Sequence, residues 1–419
     1  MKILLLTIGS AGDVHPFIGL GLALKARGHD VKIITNPFFG EIANRVGLEL
    51  IPLGTAELFR EALGNPLLWH RRKGPVAVFE IVLSGLRETY DAVANNYVPG
   101  ETVVVTSSLG FGARIAQDKL GIPTATVHLS PAEFRSLTAP AKLTGLWMPP
   151  GMPMWLRKTQ WWVADSLFID RLAAPKINAF RAELGLPPVK GILRDFWNSP
   201  RMVLGLFPEW YAAPQADWPP QARLTGFPRY DESDAHQRNP DLDRFLAAGE
   251  PPIVFTPGSA MYHGQQFFLA SVEACKRLNR RGILLTRHAG QIPANLPDTV
   301  KHFVYAPFSQ LLPSAAALVH HGGIGTSAQA MAAACRQLIT PFAHDQFDNA
   351  DRLRRLGVGR TIHATQYTAT AATRELGLLL KDESVARACR DIAGRLKNDQ
   401  SVGKTCELIE SLARVDSPV

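Results

Sequence analysis

Twice in this chain an apolar run ends in a glycine turn and passes straight into a helical pattern, and this repeated unit constrains the fold more than any other feature. The first runs from Lys2 to Ile8, through Gly9-Ser10-Ala11-Gly12-Asp13, into a pattern opened by Pro16 and carried by Ile18, Leu22 and Leu24. The second runs from Pro252 to Thr256, through Pro257-Gly258-Ser259, into a helix from Phe267 to Leu278. Further short apolar runs follow each, separated by helical segments. They are Asp30 to Thr35, Thr102 to Val105 and Thr124 to Val127, then Gly282 to Thr286, Lys301 to Tyr305, Ala317 to His320 and Gln337 to Thr340. Uniformly apolar strands alternating with helices predict parallel sheets covered on both faces. The expected fold is α/β, with two Rossmann-like doubly wound domains.

A chain of 419 residues is longer than one core usually serves, which agrees with two domains. The alternation breaks at YAAPQADWPPQAR and DESDAHQRNPDLD, which have linker composition. The sequence thus predicts an N-terminal domain over 1–222, a linker over 223–245, a second domain over 246–398, and a last helix within 399–419 packing back towards the first domain. Ligands of open α/β sheets bind at the carboxyl ends of the strands, so two halves facing across a cleft can hold two different substrates.

Composition narrows the function classes. Four widely spaced cysteines with no C-x-x-C pair disfavour a zinc site and a disulfide framework and suit a reducing compartment. No apolar run approaches the roughly 18–20 residues that cross a bilayer, and the N-terminus reads as a strand and not a signal peptide. A cytoplasmic protein is expected. The net charge of +8 suits an anionic partner. Without a Lys/Arg block, zinc-finger spacing or an RNA-binding aromatic signature, nucleic acid is not the expected one.

The stretch with most chemistry is Val319-His320-His321-Gly322-Gly323-Ile324-Gly325-Thr326, a strand end entering the helix Ser327 to Ala334. Free N–H groups and the helix dipole there make an anion site. Glycines let a diphosphate approach, and Thr326 and His321 can donate hydrogen bonds to it. Tight turns in α/β folds also use glycine for steric reasons alone. Downstream, Pro341-Phe342-Ala343-His344-Asp345-Gln346-Phe347-Asp348-Asn349 crowds polar groups at a strand end, where they suit a polyol better than a core.

Together with Tyr305-Ala306-Pro307, these segments resemble the nucleotide-sugar signature of family 1 glycosyltransferases with the GT-B fold. GSAGDVHPFIGLGLALKARGH resembles the acceptor-side signature of the branch that holds the bacterial rhamnolipid-forming rhamnosyltransferases and the sterol, flavonoid and antibiotic-aglycone enzymes. The likeness covers nearly the whole chain, including the GFP at Gly226 and HDQFDNA. It implies that His321, Gly325 and Thr326 hold the donor diphosphate, with Gly258 and Ser259 closing on it. Asp345 and Gln346 would bind the sugar, and Tyr305 and Ala306 the base. It implies an inverting hexosyltransferase that requires no metal or other cofactor.

Four positions depart from the plant pattern: Phe308 replaces a Gln, Gln329 a ribose-binding Glu, and Asp13 and Ser107 stand where a catalytic His and its Asp would be. Gln329 suits a deoxyribose donor, so dTDP-rhamnose is the expected donor and UDP-glucose the alternative. Asp13 is the candidate general base. A capping role for a helix beginning near Val14 is the competing reading, and His15 could serve as base instead.

Residues 131–170 carry Trp147, Met148, Met152, Met154, Trp155, Trp161 and Trp162 among prolines, as an irregular apolar stretch. Core packing, an acceptor pocket lined by Trp147 and Trp155, and a peripheral membrane patch all fit it. The expected acceptor is a hydrophobic hydroxylated molecule such as a flavonoid or hydroxyacyl lipid, with sterols behind. A Rossmann dehydrogenase is disfavoured, because Gly9-Ser10-Ala11-Gly12 lacks the G-x-G-x-x-G spacing. A nucleotide-sugar-binding protein without catalysis and an epimerase are the readings of another class.

Overall fold

In a computed structural model, which describes residues 1–70, 73–233 and 239–413, the chain divides into two compact units. One comprises Met1–Pro228 with the C-terminal segment from Gln400, and the other Arg229–Asp399. The first is built on seven strands: β1 Lys2–Leu6, β2 Asp30–Thr35, β3 Glu49–Pro52, β4 Thr102–Ser107, β5 Thr124–His128, β6 Met202–Gly205 and β7 Ala222–Leu224. Their order is β3-β2-β1-β4-β5-β6-β7, and each pairing is parallel. The second holds β8 Ile253–Thr256, β9 Gly282–Leu285, β10 Val300–Phe303, β11 Ala317–His320, β12 Gln337–Ile339 and β13 Gly359–Thr361. Their order is β10-β9-β8-β11-β12-β13, again parallel.

The central strands are apolar at every position because helices cover both faces of each sheet. Ile3, Leu4, Leu5 and Leu6 in β1 are fully buried, as are Ile253, Val254 and Phe255 in β8. Strand order reverses between β1 and β4 in one sheet and between β8 and β11 in the other. At such a switch point neighbouring connections leave in opposite directions and open a crevice beyond the strand ends.

Two stretches are more regular than their composition suggests. Of residues 223–245, positions 234–238 lie outside the described residues. Around them, β7 is the last strand of the first sheet, and Asn239 caps the helix Pro240–Ala247 by accepting the N–H groups of Asp241 and Leu242. The Trp-rich stretch is helical over Met154–Trp162 and continues as a π-helical turn, Val163–Ile169, into the helix Asp170–Glu183. Its prolines stop at Pro153, immediately before the first turn, and the following Met, Leu, Arg, Lys and Gln are good helix formers.

The helix Ser401–Leu412 packs in the first unit; residues 414–419 lie outside the described residues. Ser401 Oγ donates to Phe227 O at 2.9 Å and Lys404 Nζ to Leu224 O at 2.7 Å. Arg27 donates Nε and Nη2 to the two oxygens of Glu410, at 2.6 and 2.8 Å, and His29 Nε2 lies 2.8 Å from Oε1. These partners hold the Glu410 carboxyl down at about 2. Its pKa is depressed on folding, so its contribution is complete above the ordinary carboxylate range near 4.5 and fades as pH falls towards 2. Glu410→Gln should lower stability at neutral pH by roughly 1 kcal/mol, the scale of a well-formed surface pair. In urea titrations the gap to the parent should shrink between about pH 4.5 and 2.

Candidate active site

Beyond β1, Gly9 turns at φ +139°. A Cβ there would stand 2.3 Å from Asp13 Oδ2, so only glycine lets the Asp13 side chain fold back over the turn. The helix starts at Ala11, three residues before the expected position near Val14, and Ser10 is its N-cap. Asp13 Oδ2 accepts the Ser10 N–H at 2.7 Å and the Ser10 hydroxyl at 3.1 Å, which completes a capping box. Both donors of Ser10 thus meet the same carboxylate oxygen. Burial raises the Asp13 carboxyl to about 6 against the pull of the Ser10 donors, and the charge of Glu133 adds to the rise. A carboxyl poised there can take up a proton near neutrality. His15 is half-buried two residues further along the same helix, and residues so spaced face different sides.

The β1/β4 switch point is closed by Ile8 N–H donating to Ser107 Oγ at 3.3 Å. Ser107 cannot carry charge, but the next strand supplies a carboxylate that the sequence reading missed. Glu133 follows β5 in the turn Pro131–Glu133. Its Oε1 accepts the N–H groups of Leu129 and Ser130, at 2.8 and 2.9 Å, and Oε2 lies 3.2 Å from His128 Nδ1. Burial pushes the Glu133 carboxyl up, but hydrogen bonds from His128, Ser108 and Ser130 outweigh it and hold it below the usual carboxylate range. Fully buried His128 is fixed in turn by Asn198 Oδ1, 2.8 Å from Nε2. Ser130-Pro131-Ala132-Glu133 is a capping-box pattern at a strand end, which is the signal available in sequence.

In the second unit, the chain leaves β8 through Gly258 at φ +101°. A Cβ on Gly258 would meet the His321 ring at 2.9 Å and one on Gly323 would meet it at 2.4 Å, so the imidazole lies against two glycines. Burial lowers His321 to about 4, and its Nδ1 is buried without a hydrogen-bond partner among the described residues. The ring is neutral at pH 7. His320, beneath it, accepts the Gly322 N–H on Nδ1 at 3.2 Å, so its Nε2 carries the proton facing Gln337 Oε1 at 3.0 Å.

The helix begins at Ile324, not Ser327, which places Gly325 and Thr326 in its first turn. Its N-cap is Gly323, with no side-chain cap and no acidic residue in that turn. Gly325 and Ser259 are exposed and Thr326 half-buried.

Asn349 ties the two polar loops together, donating Nδ2 to Gly322 O at 3.0 Å and to Asp345 Oδ2 at 2.7 Å. Gln346 is buried, and its Oε1 accepts the N–H groups of Phe342 and Ala343, at 2.8 and 3.1 Å. Both of these bonds use Oε1 and not the amide NH2. His344, between these residues, takes φ +57°, a conformation L side chains rarely adopt.

Tyr305 donates its hydroxyl to Asp231 O at 2.6 Å, and Arg287, also missed in sequence, lies 5.1 Å from its ring centroid. Ala306 and Gln329 are buried. Trp147 and Trp155 are 73% and 65% exposed.

Residues 3–136 match the glycosyltransferase family 28 N-terminal domain, and residues 279–413 the erythromycin biosynthesis protein CIII-like C-terminal domain. O-mycaminosyltylonolide 6-deoxyallosyltransferase of Streptomyces fradiae is 31% identical over 430 residues, covering 99% of this chain and 98% of that protein. The solved glycosyltransferase of kitacinnamycin superposes with a TM-score of 0.74 at 22% identity, covering 98% of this chain and 99% of that one. Spinosyn rhamnosyltransferase SpnG complexed with thymidine diphosphate gives 0.67 at 18% identity, covering 98% and 100%. These two structures are similar in fold.

The packing of Gly258 on His321 is separable from its backbone conformation. Gly357 shares the left-handed conformation, but its nearest neighbour to a new Cβ is at 3.5 Å, an ordinary contact. Gly258→Ala should therefore destabilise the second unit more than Gly357→Ala, by roughly 1–2 kcal/mol, the added cost of displacing a packed ring. Thermal unfolding of the two variants side by side checks this.

Proposed function

Because the chain belongs to the family 1 glycosyltransferases of GT-B fold, of macrolide and antibiotic type, we propose that it moves rhamnose, with inversion, from a thymidine diphosphate donor to a hydroxyl of a hydrophobic acceptor. The carrying observation is the β8/β11 switch point, where a neutral imidazole and an uncapped helix N-terminus converge. N–H donors and helix dipole suit a diphosphate there. In this reading His321, the first turn at Gly325 and Thr326, and the Gly258-Ser259 turn hold the donor. Asp345 and the Gln346 amide NH2 take the sugar hydroxyls, and Tyr305 with Ala306 takes the base.

The acceptor oxygen attacks the anomeric carbon from the face opposite the diphosphate. Its proton passes to Asp13, the bond to the diphosphate oxygen breaks, and the leaving charge falls on donors already in place. Burial raises Asp13, the charge of Glu133 adds to the rise, and together they keep it basic enough for that task. For the donor, Gln329 in place of an acidic ribose ligand supports a deoxyribose nucleotide, as does the thymidine diphosphate complex of the spinosyn enzyme. The Streptomyces relative's 6-deoxyallosyl group supports a 6-deoxysugar.

Calorimetric titration with thymidine diphosphate and uridine diphosphate is the direct test. Tighter binding of the thymidine nucleotide is expected, whereas preference for uridine would turn the reading to glucose transfer. Free nucleoside diphosphate should appear only when a hydroxylated acceptor is present, which an epimerase would not require.

Asp13→Asn should cut kcat by about 100- to 10,000-fold, the range of a lost general base, with thymidine diphosphate affinity nearly unchanged. The base must be ionised to act, so kcat should climb with pH through about 6 and level off above it. His321→Ala should weaken thymidine diphosphate binding about tenfold, the loss of one hydrogen bond to a charged group. A calorimetric dissociation constant equal to the parent's would remove His321 from the diphosphate site.

A further inference from the structure

Among the described residues every exposed Trp and Phe falls in one segment: Trp147 at 73%, Trp155 at 65%, Trp162 at 58% and Phe168 at 67%. Met154 and Leu167 are exposed beside them. The segment is built to turn these side chains outward. Trp161 is buried, donates Nε1 to Ser136 O at 3.2 Å and lies under the Arg135 guanidinium, 3.9 Å from its ring centroid. With that ring anchored inward, Trp155, Lys158 and Trp162 stand on one exposed face at helical spacing. Gln160 brings Trp147 to the same helix, accepting its N–H at 3.2 Å and donating Nε2 to its carbonyl at 2.9 Å.

Within residues 147–176 the exposed charged side chains are all cations. Lys158, Arg171 and Lys176 are exposed. The acids of the segment are spent internally: Asp165 pairs with Arg135, and Asp170 accepts the N–H groups of Gly191 and Ile192, both at 2.9 Å. Apolar rings bordered by cations match the boundary of an anionic bilayer, where indole and phenyl rings enter the headgroup layer and lysines meet lipid phosphates. A second copy of the chain would instead bring like charges together across a self-complementary contact.

We propose that the face formed by Trp155, Lys158, Trp162 and Phe168 seats this protein on anionic lipid membranes. This rests on the surface of the first unit and is independent of the donor reading. A peripheral contact leaves the chain reversibly bound, and it puts the enzyme where an apolar acceptor concentrates.

The test is co-sedimentation of the full chain with phosphatidylcholine vesicles, with and without phosphatidylglycerol. The parent should pellet with the phosphatidylglycerol vesicles only, and release at about 1 M salt, where the screening length is about 3 Å. The double variant Trp162→Ser/Phe168→Ser should lose vesicle affinity by roughly tenfold or more, with an unchanged melting curve and unchanged transfer to a water-soluble acceptor. Failure of the parent to pellet, or undiminished binding by the double variant, overturns the proposal. Parallel loss of transfer would make the face an acceptor lining, and a dimer dissolved by the double variant in sedimentation velocity would make it a subunit contact; either also overturns it.

Discussion

The chemistry of both units depends on parallel strand pairing at two switch points. In the second sheet His320 is in register with Thr256, so the chain leaves β8 and β11 side by side and Gly258 meets the His321 ring. In the first, Leu6 is in register with Thr106, and the next residues join through Ile8 N–H and Ser107 Oγ. Every strand in these pairings is held by burial on both faces. Polar side chains within these strands, such as Thr106 and His320, are buried, whereas His321 and Asp13 stand past the last paired residue.

The two units put the same strand–glycine–helix piece to opposite electrostatic use. In the first, the helix N-terminus is filled from within, by Ser10 as cap and Asp13 in the first turn. The dipole and the Ser10 donors favour the Asp13 carboxylate, yet burial wins and leaves the group near 6. In the second, the N-cap is glycine and the first turn carries no acid. The positive end of that helix has no negative partner of its own, which is the condition for attracting one from a ligand.

Much of this is legible in the sequence because the buried strands are continuous apolar runs and the switch-point loops are rich in glycine. The strands β3, β6, β7 and β13 do not stand out. They have three or four residues each, β3 has Glu49 and Pro52 exposed at its ends, and β7 follows a proline-rich stretch. The start of the first helix at Ala11 is hidden because Gly12 and Asp13 read as turn residues, although Ser10-x-x-Asp13 is itself a capping pattern. Glu133 sits in a capping-box pattern, but its effect on Asp13 joins residues distant in sequence, and Arg287 belongs to no motif and meets Tyr305.

Composition also conceals the Trp-rich segment, because an apolar stretch with prolines reads equally well as core, pocket or surface. What separates these readings is the orientation of two consecutive residues. Trp161 finds both a carbonyl for its indole N–H and a guanidinium for its ring face, and this fixes the rotation of the helix. Its neighbour Trp162 must then point away from the core. One satisfied indole therefore determines which of the other rings meet solvent, and that follows from a hydrogen bond to Ser136, a residue 25 positions earlier in the chain.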